Sequence, residues 1–169
     1  MNITSAEANK MLRKLADEHA LLLRKETSSA SFYASVGEDP EDVRPEYDYA
    51  LTQKLLAENE SKTRKLKHAL NVFNTTTVVP GFDMTIDEML VYIPQLTKAK
   101  EKLGQMMVAL PKARREENFH SMSNIVDYVY ANYDIAATEA DFEKVSDTLS
   151  KAQTAIDRLN NAETFAFEF

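Results

Sequence analysis

The nearest approach to metal chemistry in the chain is Glu117-Asn118-Phe119-His120, a Glu-x-x-His step. On a helix that spacing sets a carboxylate and an imidazole on one face, where both can reach one ion. Carboxylate-bridged di-iron bundles use the step twice, on two helices, with a further Glu from each of two others. Here it occurs once, in a segment that reads as loop, and a chain with 27 acidic residues and 3 His meets it by chance. Glu117, His120 and the helical His19 are the metal candidates, and no cofactor is expected. His19 and His68 fall on helices, where a His beside a Glu could perform general acid–base work; a lone helical His is more often packed or solvated. No Ser sits in a Gly-x-Ser-x-Gly elbow or a Ser-x-x-Lys step, and the 3 glycines, at 37, 81 and 104, are too far apart to cradle a phosphate. Cysteine is absent, which excludes disulfides, thiolate metal sites and Cys nucleophiles. The 7 methionines read as core filler.

A net charge of −7 repels phosphate backbones unless the basic residues cluster. Lys62, Arg64, Lys65 and Lys67 form one cluster, and Lys112, Arg114 and Arg115 another. Neither has aromatic residues interleaved along the sequence, so both read as solvated helix faces or basic helix ends. Residues 1–10 are polar, with no apolar core of a secretion signal, and no run approaches the ~20 apolar residues needed to cross a membrane. The expectation is a cytoplasmic protein without a membrane partner.

The elements that would position any site are mostly helices. At 169 residues, 44% hydrophobic and 28% charged, the chain suits one folded domain, 1–169, and few Gly and Pro suit long helices. Fours and threes run through 8, 12, 15, 19, 22, 26, 29 and 33, a heptad row that predicts a helix from Ser5 to about Tyr33. Turn residues at 36–40 and Pro45, suited to a first helical turn, predict a second helix from Glu46 to Phe73, with Leu51, Leu55, Leu66, Ala69 and Phe73 on its inner stripe. A short connection predicts an antiparallel hairpin. His19 and Glu26 interrupt the first stripe; Asn59 and Lys62 interrupt the second. These four read as register-fixing polar groups or as a ligand site inside the hairpin.

Residues 74–84 read as loop, with a short strand favoured by their Thr and Val. Thr85-Ile86-Asp87-Glu88 has the form of a capping box opening a third helix, in which Pro94 predicts a kink or a later start. A period of two from Ile125 to Ile135 predicts a strand. Thr138 is the expected cap of a fourth helix ending at Asn160-Asn161. The tail alternates Phe165, Phe167 and Phe169, whose rings must be buried; the simplest partner is the strand at 125–135, from the same chain or another subunit. The expected fold is mainly α: a long coiled-coil-like hairpin plus two further helices in a bundle, with a small β element from residues 125-135 and 164-169.

Three stretches in this order carry a family resemblance. They are Asn71-Val72-Phe73-Asn74-Thr75 at a helix end, Gly81 to Leu90 as a loop into a Thr-initiated helix, and Tyr128 to Asn160 as a strand followed by a heptad helix. The chain resembles the septicolysin-like group of small uncharacterised bacterial proteins, although it lacks an Arg-Asp pair in the third helix. The resemblance implies a helical hairpin with accessory helices and a small β element, and no mechanism. Its label suggests pore formation, which the sequence does not lead one to expect, since no run of it is of membrane length.

Helical stripes and aromatic strands favour a non-enzymatic interaction or scaffold protein, a homo-oligomer or one that meets another protein, using Phe165, Phe167, Phe169, Tyr128 and Tyr130. A metal- or small-ligand-binding bundle is the alternative. A nucleic-acid-associated hairpin comes third, since the net charge counts against it.

Overall fold

The computed structural model describes residues 1–114 and 127–169. The chain is mainly α, and it divides into two compact units. The first comprises residues 1–77 and 158–169, the second residues 78–157.

The first unit is built on a helical hairpin. Strand β1 (Asn2–Thr4) leads into α1 (Ser5–Ser29), and α3 (Tyr49–Thr76) returns along it. Thr4 caps α1 reciprocally: its hydroxyl accepts from the Glu7 N–H at 3.2 Å, and the Glu7 carboxylate accepts from the Thr4 N–H at 2.9 Å. The helix stops four residues before the expected Tyr33. In its last turns the Thr27 and Ser28 hydroxyls bond to the carbonyls of Leu23 and Lys25, competing with the ladder, and Ser29-Ala30-Ser31 adds no large apolar side chain to hold a further turn.

Proline placement in the connection differs from expectation. Pro40, not Pro45, opens a helix: the short α2 (Pro40–Val43) starts behind Asp39, whose carboxylate accepts from the Glu41 N–H. Pro45 lies in extended chain, and α3 begins at Tyr49 because Asp48 supplies its cap, accepting from the Leu51 N–H at 2.9 Å.

The hairpin is closed at its base by β6 (Thr164–Ala166), which pairs antiparallel with β1, Ile3 opposite Phe165. The ladder runs one residue further, where the Phe167 N–H donates to the Met1 carbonyl at 2.9 Å. Phe167 thereby enters a core of Ile3, Ala8, Leu15, Leu66 and Leu70. Phe165 stacks on Phe73 with ring centroids 5.0 Å apart. The tail's partner is therefore β1 of the same chain, not the strand at 125–135. A three-residue polar strand carries too little alternation to be read before its partner is known.

The second unit opens with β2 (Val78–Val79) and β3 (Met84–Thr85), paired Val78 to Thr85 and Val79 to Met84. Pro80-Gly81 makes the turn between them. The Phe82 N–H reaches the Val79 carbonyl at 3.2 Å, and Gly81 takes φ 86°, the positive value a type II turn requires at its third residue. Helix α4 (Ile86–Met107) follows with Thr85 as cap, as the capping box predicts, and Pro94 lies inside it. Gly104 of α4 lets the Phe142 ring approach: a Cβ there would meet the ring at 3.4 Å. The Lys100 ammonium lies over the other part of that contact, 5.7 Å from the ring centroid.

Strands β4 (Lys112–Arg114) and β5 (Tyr128–Tyr130) form a third two-stranded ribbon. The strand expected over 125–135 is thus confined, among the described residues, to Tyr128–Tyr130. Helix α5 (Ile135–Ala162) starts three residues before Thr138, because Asp134 is the cap: its carboxylate accepts from the N–H groups of Ala136 and Ala137. Thr138 is buried inside the first turn and bonds back to the Asp134 carbonyl.

The Thr85–Glu88 box gives a prediction with a sign. Hydrogen bonds from the Thr85 N–H and hydroxyl hold the Glu88 carboxyl below the usual carboxylate range. A depressed folded value means the stabilisation is complete above the unfolded pKa and is lost as pH falls through the folded one. The protection factor of the Thr85 amide, the intrinsic exchange rate at each pH divided by the observed one, should therefore fall under acid conditions, as NMR exchange measurements would show. Glu88→Gln should flatten that dependence, and Thr85→Ala should destabilise the second unit by about 1 kcal/mol.

Candidate functional site

Polar side chains in the middle of the α1–α3 hairpin form the best-defined candidate. The two stripes bring His19 and Glu26 from α1 to the level of residues 53–60 of α3. They do not pair as the sequence order suggests. His19 Nε2 lies 3.3 Å from Glu60 Oε1. Asn59 Nδ2 donates to the Leu15 carbonyl at 3.0 Å. Glu26 accepts from the Tyr47 hydroxyl at 3.0 Å and from Gln53 Nε2 at 2.6 Å. Lys62 is exposed.

Each pairing has a local cause. Asn59 occupies a position that Leu would otherwise fill, one heptad before Leu66, so its side chain is only 7% exposed and must find a partner. The Leu15 carbonyl, already in the α1 ladder, has a second lone pair to offer. Partial burial and the Glu26 carboxylate raise the Tyr47 hydroxyl above its ordinary pKa. With the folded value raised, this contact stabilises at all pH values below the ordinary tyrosine range and is lost on strong alkalinisation.

Asn59 separates two grooves that flank the hairpin seam. One, of about 400 Å³, is lined by Leu12, Ala16 and His19 of α1 and by Asn59, Glu60, Thr63, Arg64 and Lys67 of α3. In it Glu60 lies between His19 and Arg64, with Oε1 3.3 Å from the imidazole Nε2 and Oε2 3.9 Å from the guanidinium. The other, of about 250 Å³, has Leu21, Leu22 and Leu55 between Glu18, Glu58 and Lys62.

The remaining residues singled out in the sequence lie elsewhere. Glu117 and His120 are outside the described residues. Among the described residues no three His, Asp or Glu side chains converge as a metal-binding group, so His19 stands with Glu60 alone. Phe165 and Phe167, expected on an interaction face, are in the hairpin's own base; Phe167 is 5% exposed, and Phe169 packs edge-on against it while half open to solvent. Tyr128 and Tyr130 are exposed.

Register adds something the linear sequence hides. Lys112 faces Tyr130 and Arg114 faces Tyr128 across the β4–β5 ribbon, so the basic and aromatic residues share one face. The Lys112 ammonium sits 4.0 Å from the Tyr128 ring centroid and 5.4 Å from that of Tyr130. Aromatic interleaving arises across strands, where reading along the chain finds none.

No family model and no curated protein matches the chain. It is similar in fold to a functionally unknown conserved protein from Corynebacterium diphtheriae, with a TM-score of 0.61 over 98% of this chain and 100% of that one, at 16% identity. Identity that low carries the fold alone. Among the described residues no helix is long and apolar enough to cross a membrane.

Proposed function

We propose that the chain is a non-enzymatic interaction protein that self-associates through the distal half of its α1–α3 hairpin. The observation that carries this reading is where burial ends. No residue of α1 beyond Leu15 is buried, and none of α3 before Leu56. Yet that half carries Leu21 and Leu51, each 52% exposed, with Leu23, Leu55 and Tyr49 also open. Two helices bury only the seam between them; apolar flanks are covered when a third or fourth helix joins.

Charge favours a second copy as the occupant. Glu18, Leu21, Leu22 and Lys25 share one flank of α1 by their spacing of three, four and seven. Leu51, Lys54, Leu55 and Glu58 share the matching flank of α3. On α1 Glu18 lies basal and Lys25 distal of Leu21 and Leu22; on α3 Glu58 lies basal and Lys54 distal of Leu55, with Leu51 further out. A two-fold axis through the leucines sets each acid against a lysine of the other copy, a self-complementary arrangement. The resemblance to septicolysin-like proteins belongs to the same proposal; it adds an architecture and no reaction.

Light scattering on a gel-filtration peak tests the reading. The native chain should run at twice its 19.2 kDa mass or a multiple of it. Leu21→Gln with Leu55→Gln should leave monomer with unchanged helicity. Glu18→Lys with Glu58→Lys should also dissociate it, and adding Lys25→Glu with Lys54→Glu should restore assembly. A native monomer at micromolar concentration would sink the proposal.

A further inference from the structure

The larger hairpin groove holds polar groups that the protein leaves without partners. Eight threonines inside the helices (27, 52, 75, 76, 97, 138, 148 and 154) bond their hydroxyl back to a carbonyl three or four residues earlier. Thr63 does not: its hydroxyl bonds no described residue and lines the groove instead. One turn before it, Asn59 spends one amide proton on the Leu15 carbonyl, while its Oδ1 accepts from no described residue, although the residue is more than nine-tenths buried. One turn after it, Lys67 lines the same groove and makes no ion pair with a described residue. Asn59, Thr63 and Lys67 stand at i, i+4 and i+8, one column along α3. Opposite them, Leu12 and Ala16 of α1 give an apolar wall.

From this column we infer a binding site for a small carboxylate that carries an apolar side group and a neighbouring N–H donor. Lys67 and the Thr63 hydroxyl face the carboxylate, with Arg64 beside them. Asn59 Oδ1 accepts from the N–H. The side group lies on Leu12 and Ala16. Glu60 is the one anion in the lining, and it does not discharge Lys67, because its two oxygens are engaged by His19 and Arg64. A volume of about 400 Å³ falls in the range of small-molecule sites. An acylated amino acid and a polypeptide C-terminus share this chemistry. The site is on the flank of the seam away from Leu21 and Leu55, so it does not depend on self-association.

N-acetyl-leucine titrated into ¹⁵N-labelled full-length chain is the test, read by NMR chemical shifts. Saturable shifts at Ala16, Asn59 and Thr63, with a dissociation constant on the order of 1 mM or tighter, are expected. N-acetyl-leucinamide, without the charge, and hexanoate, without the N–H, should each bind about tenfold more weakly. Thr63→Val and Lys67→Gln, both conservative in volume, should each lower affinity about tenfold with the circular dichroism spectrum unchanged, whereas Lys14→Gln should leave it as it was. Extending the ligand at its acyl end to an acetylated peptide ending in Leu assigns the source: tighter binding means a polypeptide terminus, equal binding a free acylated amino acid. No saturable shift, or equal binding of acid and amide, overturns the inference. Dimer dissociation by Leu21→Gln with Leu55→Gln should leave the titration unaltered, so that this site and the association surface fail or succeed separately.

Discussion

Phe167→Ala should destabilise the hairpin unit by about 3–5 kcal/mol, measured by denaturant unfolding followed through helicity. The size follows from what the ring closes. Phe167 is inserted among Ile3, Ala8, Leu15, Leu66 and Leu70, which join the two chain termini to the bases of α1 and α3. Removing it loses the transfer free energy of a phenyl group and leaves a void lined by three elements, β1, α1 and α3, held in place by the β1–β6 ladder. Phe169→Ala is the internal control: its ring is half exposed and touches Phe167 edge-on, so about 1 kcal/mol is expected. Equal effects at the two positions would mean that the tail is not docked on the hairpin base.

The same residues show how much of this fold was legible in the amino-acid order and why the rest was not. Helices were legible because their signals are long and local. The heptad rows of α1, α3 and α5 extend over many turns, and the Thr85–Glu88 cap is written within four residues. Helix ends were less so, because several side chains compete to cap: Asp48 and Asp134 win over the nearby Pro45 and Thr138, since an Asp directly before the first turn satisfies N–H groups that the others cannot reach. The β pairings were not legible. Each strand is two or three residues long, and its partner is set by where the helices return the chain, as the closure of Phe165 onto Ile3 shows. Of the candidate site, the polar interruptions at His19, Glu26 and Asn59 were visible as breaks in an apolar stripe. Their partners were not, because Glu60, Tyr47, Gln53 and the Leu15 carbonyl lie off the stripe or in the backbone. Thr63 carried no signal at all; only the back-bonding of the other threonines makes it an exception.

Asn59→Asp should be the most damaging single-atom change in the hairpin, and its effect should grow with pH. Asn59 Nδ2 donates to the Leu15 carbonyl at 3.0 Å from a side chain that is 7% exposed. An aspartate puts two acceptors face to face there when ionised, on a side chain that is largely buried. The protonated acid can still donate to the carbonyl. Burial and the carbonyl dipole therefore raise the folded pKa of the new carboxyl above its unfolded value. A raised folded value means that the variant keeps its stability below the unfolded pKa and loses it as pH rises through the folded one. At neutral pH a loss of about 3–5 kcal/mol is expected, the amount typical of a buried charge deprived of its partner. Under acid conditions the deficit should shrink toward 1 kcal/mol, roughly one hydrogen bond. Urea midpoints of wild type and variant across the acid to neutral range decide the matter. A pH-independent deficit would mean that residue 59 has water rather than the Leu15 carbonyl as its partner. The column of Asn59, Thr63 and Lys67 would then face solvent and not a built groove.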